Sequence, residues 1–145
     1  VVSHAFGKGR AWMAGYYSGV EYAAGVMKEG YDMSAEFPAG LRDLVANPAV
    51  EAGVRPVVQP SLPLVEGIGV RNPQSGRQAV VLCNWAYKGR ELIPAVNLTV
   101  RVADAGSLKG ARSVWQRKAL PVEKQGNDLV ITVGHLEDGD VLLLE

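Results

Sequence analysis

The chain has 145 residues, 48% of them apolar, and its fifteen Lys and Arg balance fifteen Asp and Glu. That length and apolar share fit one globular domain with a real core, or one domain with part of a neighbour. The charge balance supplies no basic face for nucleic acid or an anionic membrane surface, and no apolar run reaches the roughly 18 residues that span a bilayer, so neither partner is expected.

The opening Val1-Val2-Ser3-His4-Ala5-Phe6 has no initiator Met and none of the regions of a signal peptide. The expectation is a chain cut within an upstream domain, with any export signal lying before Val1 and the compartment left open. Val1 to Phe6 and Ala11 to Tyr17 flank Gly7-Lys8-Gly9-Arg10, which reads as a hairpin whose glycines supply positive φ. Val20 to Lys28 is expected to form a short helix ended by Gly30. Phe37-Pro38 opens a second helix, with Pro38 in its first turn and Leu41, Leu44 and Val45 at helical spacing. Asn47-Pro48 marks a break before a further turn ending at Gly53. Prolines 56, 60 and 63 then make a stiff, extended linker.

From Leu64 onward the chain reads as short strands separated by turn signals. Leu64 to Val70 and Gln78 to Trp85 flank the turn Asn72-Pro73-Gln74-Ser75-Gly76. Leu92 to Val102 alternates, with Val96, Leu98, Val100 and Val102 on one face and Asn97, Thr99 and Arg101 on the other. Ala111 to Gln116, Leu120 to Lys124, Leu129 to Val133 and Val141 to Leu144 complete the set. Gly67 and Gly69 interrupt an otherwise apolar strand, which suggests a bulge or a close backbone approach. The gaps are too short for helical crossovers, so the expected fold is mainly β: a small antiparallel β-sandwich preceded by a β-hairpin remnant and one or two short helices. The corresponding division is 1–30 as the end of an upstream domain, 31–63 as helix and Pro-rich linker, and 64–145 as the sandwich.

Few residues suggest chemistry. Gly7-Lys8-Gly9-Arg10 lacks the Lys-Ser/Thr of a phosphate loop and the third glycine of a dinucleotide fingerprint, so it reads as a turn with exposed charges. His4 and His135 have no second histidine or cysteine at ligand spacing, and no metal or cofactor is expected. Cys83 lies in an apolar run and reads as a buried thiol, with no local base to activate it. Ser61 and Ser75 lack the strained elbow of an activated serine. Glu66 alternates outward on its strand, while Asp138 and Asp140 lie in a turn where they can bond local backbone. Paired as glycosidase acids they would make an independent hydrolase, but no catalytic residue is assigned on this basis. Trp85, Tyr87 and Trp115 are candidate sugar contacts, because exposed aromatics stack on the apolar faces of sugar rings; large aromatics on sandwich strands also fill cores. Asn97-Leu98-Thr99 matches the N-glycosylation sequon, which matters only in a eukaryotic secretory pathway.

His4-Ala5-Phe6-Gly7-Lys8-Gly9-Arg10 with Trp12-Met13-Ala14-Gly15-Tyr16 resembles the closing strands of the amidotransferase-like domain found in beta-galactosidase trimerisation regions and related large bacterial proteins. Phe37-Pro38, Leu41-Arg42, Arg55-Pro56-Val57, Pro63-Leu64-Val65-Glu66, Ala79 to Trp85 and Gly139-Asp140-Val141-Leu142-Leu143-Leu144 are similar to the carboxyl-terminal β-sandwich that follows such domains. The resemblance implies a non-catalytic accessory domain of a multidomain, glycoside-hydrolase-like protein, whose partners are upstream domains of the same polypeptide and, through the parent, a homo-oligomer. This packing reading expects Trp85 and Trp115 to be buried and apolar surface to gather near the amino-terminal hairpin. The alternative is a carbohydrate-binding module that uses exposed aromatics.

Overall fold

The structure, a computed structural model, describes residues 1–28 and 38–145. The expected helix stop at Gly30 and the helix opening at Phe37 lie outside the described residues. The chain divides into two compact units, Val1–Arg55 and Pro56–Glu145.

In the first unit, β1 (Val2–Phe6) and β2 (Gly9–Met13) pair antiparallel. Gly7 takes a positive φ at the first of the two turn residues, as a type II′ turn requires. Val2, Phe6 and Met13 are exposed, and register places them on one face of the hairpin. On the other face Trp12 is half-buried, and Arg10 reaches Glu51 at 3.2 Å. Two helices follow, α1 (Ser18–Lys28) and α2 (Ala39–Glu51). Leu41, Leu44 and Pro48 recur on the half-buried face of α2, while Val45 is exposed.

The expected break at Asn47-Pro48 does not occur, because Pro48 lies inside α2. The ring removes one backbone donor, but the helix needs only one more turn, which ends at Gly53. There the Gly53 N–H bonds the Val50 carbonyl and the Val54 N–H bonds the Ala49 carbonyl, the paired closure of a Schellman motif. Pro38 caps the helix rather than entering its first turn.

The second unit is a sandwich of two antiparallel sheets. Its strands are β3 (Val58–Pro60), β4 (Val65–Arg71), β5 (Gln78–Asn84), β6 (Tyr87–Lys88), β7 (Glu91–Leu92), β8 (Ala95–Val102), β9 (Ala111–Ser113), β10 (Lys118–Leu120), β11 (Val122–Gln125), β12 (Asp128–Leu136) and β13 (Gly139–Leu144). One sheet has the order β10-β9-β13-β5-β4 and the other β11-β12-β8-β3, while β6 and β7 form a separate small hairpin. Between the sheets lie Val80, Leu82 and Leu142 from the first and Leu98, Val100, Leu129 and Ile131 from the second, all essentially without solvent contact. Each such side chain contributes roughly 1.5–3 kcal/mol of burial, which is what holds the two layers together.

Several expected strands are corrected in this unit; Leu92 to Val102, for one, is broken after Leu92 into β7 and β8. Val58–Pro60, assigned to the linker, is an edge strand of the four-stranded sheet, paired with Val102 to Val100. Pro60 is tolerated there because an edge strand can lack a ladder donor. Leu120 to Lys124, expected as one strand, is split by Pro121 into β10 and β11, which belong to different sheets. Val96 is 59% exposed instead of joining Leu98, Val100 and Val102 in the core. The cause is a bulge: Asn97 takes φ 55° opposite register shifts around Gly134, so two successive residues of β8 point outward.

Gly67 and Gly69 mark a close approach, since β4 pairs with β5 without a register shift. A Cβ on Gly67 would lie 2.5 Å from Cγ1 of Val58, and one on Gly69 would lie 3.3 Å from Cγ1 of Val57. The two glycines thus let β3 of the opposite sheet press against the backbone of β4. Gly67→Ala is expected to destabilise the sandwich by about 1–3 kcal/mol, the usual cost of overpacking, and Gly69→Ala by less; midpoints of urea denaturation check the order.

Candidate functional site

Strand directions bring the three candidate aromatics to one end of the sandwich. β4, β10 and β13 begin there, and β5, β9 and β12 end there. Trp85 follows β5 directly, Tyr87 opens β6, and Trp115 lies in the turn between β9 and β10 rather than in a strand. They are not core residues: Trp85 is 50%, Trp115 67% and Tyr87 36% exposed. The expectation that both tryptophans are buried is therefore overturned. The strands that carry them end one residue or two before the indoles, so neither side chain lies between the sheets.

Two buried polar side chains hold these loops. Asn84, at the end of β5, accepts the Ala86 N–H on Oδ1 and donates through Nδ2 to the carbonyls of Ile93 and Glu137, each at 2.8 Å. It therefore ties both ends of the 85–93 loop to the β12–β13 turn, with every amide group satisfied. Asp140, also buried, accepts the Ser113 hydroxyl on Oδ2 and the N–H groups of Trp115 and Val141 on Oδ1. Ser113 Oγ in turn accepts the Gln116 N–H at 2.8 Å. Gln116 Nε2 reaches the His135 carbonyl at 3.0 Å, which fixes the turn to the opposite sheet. Asp140 was expected in the turn; it lies one residue inside β13, where its carboxylate serves a neighbouring loop as well as its own backbone.

Trp85 is held from the side. Its indole N–H donates to Oε2 of Glu66 at 3.0 Å, across from β5 to β4. Glu66 is exposed, as alternation requires. Glu66 and Asp140 thus lie on opposite faces of the five-stranded sheet, so the structure does not bring these carboxylates to one glycosidic bond. His4 and His135 are both exposed, and His135 pairs with Glu137 at 2.9 Å. Cys83 is half-buried on the outer face rather than enclosed. Among the described residues no three His, Cys, Asp or Glu side chains gather into a metal-binding group. At the opposite end a shallow, largely apolar hollow of about 180 Å³ opens beside Val57, Gly69, Val102 and Leu144, and among the described residues no acid, thiol or imidazole lines it.

The outer face of the five-stranded sheet carries a second feature. Register aligns Ile68, Val81 and Val141 across three adjacent strands, and Val114 continues the row through its N–H to the Val141 carbonyl. Val70, Ala79 and Leu143 form the next row. Ile68, Val70, Val81, Val114 and Leu143 are all exposed. Strict alternation would make these positions polar on a sheet face turned to water. The sequence signal was present, since β5 and β13 are apolar on both faces, but a doubly apolar strand does not say which layer lies over its second face.

No protein-family model and no curated protein matches the sequence. Among solved structures, the chain is similar to alpha-L-fucosidase isoenzyme 2 from Paenibacillus thiaminolyticus, with a TM-score of 0.56 and 16% identity. The likeness covers 79% of this chain and 19% of the fucosidase chain, so it concerns the fold of one part of a much longer protein.

Asp140→Ala is expected to cost about 1–3 kcal/mol by leaving buried donors unpaired, and to loosen the turn that carries Trp115. Urea denaturation reads the first effect, and hydrogen exchange at the amides of Trp115 and Gln116 reads the second.

Proposed function

We propose that this chain is a non-catalytic accessory module of a larger glycoside-hydrolase-like protein, docked on a neighbouring domain through the outer face of its five-stranded sheet. The observation that carries the reading is the row Ile68-Val81-Val141 across three adjacent strands, continued by Val114 just past β9 and flanked by Val70 and Leu143, in which every one of these side chains but the half-buried Val141 is exposed. Aliphatic side chains gathered in adjacent rows on one sheet face, where alternation would place polar ones, mark an interaction surface. Aliphatic side chains on a regular sheet suit packing against another protein layer better than recognition of a polar ligand. The fold shared with part of a fucosidase chain supports the same reading, because there this architecture occupies a fifth of a polypeptide and has other parts beside it. The exposed apolar face of the β1–β2 hairpin fits a second contact of the same kind, as expected for the remnant of an upstream amidotransferase-like domain.

Produced as the 145-residue chain, the protein is expected to bind an apolar dye such as ANS and to self-associate at micromolar concentration. Ile68→Lys with Val81→Lys is expected to abolish both while leaving the thermal midpoint within a few degrees, since surface changes away from the core cost about 0.5 kcal/mol or less. Sedimentation velocity and dye fluorescence decide it; a wild-type chain that is monodisperse and silent toward the dye would refute the docking face. The chain is also expected to show no turnover of p-nitrophenyl α-L-fucoside or β-D-galactoside above buffer, and turnover lost in Glu66→Gln would overturn the non-catalytic reading.

A further inference from the structure

We propose that the loop end of the sandwich is a binding site for a neutral oligosaccharide, with Trp85 and Trp115 as stacking platforms and Glu66 as a hydroxyl acceptor. This end of the fold exposes what is usually buried and buries what is usually exposed. Large aromatic side chains contribute most to stability when buried, yet Trp85 and Trp115 are half or more exposed. Polar side chains are costly to bury, yet Asn84 and Asp140 are buried in the same end of the fold. Each spends its hydrogen bonds on a loop that displays one of the tryptophans. A loop held in this way presents its indole in one place, which lowers the ordering cost of binding.

The two platforms are at oligosaccharide scale. Leu82 pairs with Asp140, which holds Trp115, and Trp85 lies three residues further along the chain, just past the end of β5. β9 and β5 are separated by β13 alone. Two strand spacings and three residues of rise put the tryptophan backbones roughly 14 Å apart, too far for one sugar ring and within the span of a short chain. Tyr87, on the loop anchored by Asn84, adds a third partly exposed ring.

The side chains around the platforms select the ligand's chemistry. Glu66 uses Oε2 for the Trp85 indole, which leaves Oε1 to accept from sugar hydroxyls beside the stacked ring. A carboxylate in that position repels uronic acids and sulfated sugars. With Glu66, the loops and strand ends here carry Glu91, Glu137 and Asp138 against Lys88, Arg90, Arg117 and Lys118, so the signs balance and no net field favours an anionic polymer. A neutral sugar chain with a face of C–H bonds meets both conditions.

The three tryptophans give the test a built-in control, because Trp12 lies in the hairpin of the other unit. Indole N–H signals are followed by ¹H–¹⁵N NMR while cello-, xylo-, manno- and galacto-oligosaccharides are added to about 10 mM, above the Kd of a millimolar site. At least one sugar is expected to move the Trp85 and Trp115 signals in a saturable way and to leave Trp12 in place. Trp85→Ala is expected to weaken that sugar about tenfold, the effect of losing about 1.4 kcal/mol, and Trp85→Phe, which keeps a stacking ring, to weaken it less. Dispersion of the remaining amide signals verifies the fold of each variant. Indoles that do not respond to any of the sugars, or a response unchanged in Trp85→Ala, would overturn the proposal. The Ile68→Lys, Val81→Lys variant is expected to bind as well as wild type, so the sugar site and the docking face stand or fall separately.

Discussion

Two buried polar side chains set the form of the loop end. Asn84 closes β5, Asp140 is the second residue of the adjacent β13, and both are buried. An unpaired amide or carboxylate there would cost more than a typical hydrogen bond contributes, so the surrounding backbone must supply partners. It does so from four separate segments: the start of the 85–93 loop, its end, the β9–β10 turn and the β12–β13 turn. The result is that segments distant in sequence are locked to one another, and the exposed aromatics inherit their positions from buried residues. Apolar packing between the sheets fixes the body of the sandwich, whereas hydrogen bonding fixes what it displays.

This division explains how much was legible in the chain. Gln78–Asn84 and the Leu129 to Val133 part of β12 were readable because alternation and turn residues act locally, whereas the end of β12 at Leu136, beyond the irregularity at Gly134, was not. The close approach at Gly67 was readable as a missing side chain. The role of Pro121 was not, since a proline between apolar residues can end a strand or move the chain to another layer, and only the partner strands decide which. Nor was the outward turn of Val96. Its alternation with Leu98 is perfect in sequence, and the bulge that breaks it depends on a matching irregularity at Gly134 on the neighbouring strand.

The candidate site was legible as a list of residues and illegible as a place. Trp85, Tyr87 and Trp115 stood out by type, but their grouping depends on strand directions, and their exposure depends on where each strand stops. Asn84 gave no signal of its own, and Asp140 was read only as a turn residue bonding its local backbone, because an Asn before a Trp and an Asp after a Gly look like ordinary turn residues. Glu66 was noticed for its carboxylate and considered as an acid; its observed bond is to an indole, which makes it a positioning group for Trp85.

The order β10-β9-β13-β5-β4 has a consequence for how the protein is made. The strand synthesised last among these, Gly139–Leu144, occupies the centre of its sheet and joins two hairpins that otherwise share no ladder. During synthesis β4–β5 and β9–β10 can each form early, but they remain separate ribbons with half-covered apolar faces until residue 144 emerges. Pairing across such separations in sequence is slow relative to local hairpins. A nascent chain therefore spends its vulnerable interval with Val80, Leu82 and Leu120 exposed, and its escape from aggregation is set by the arrival of six residues.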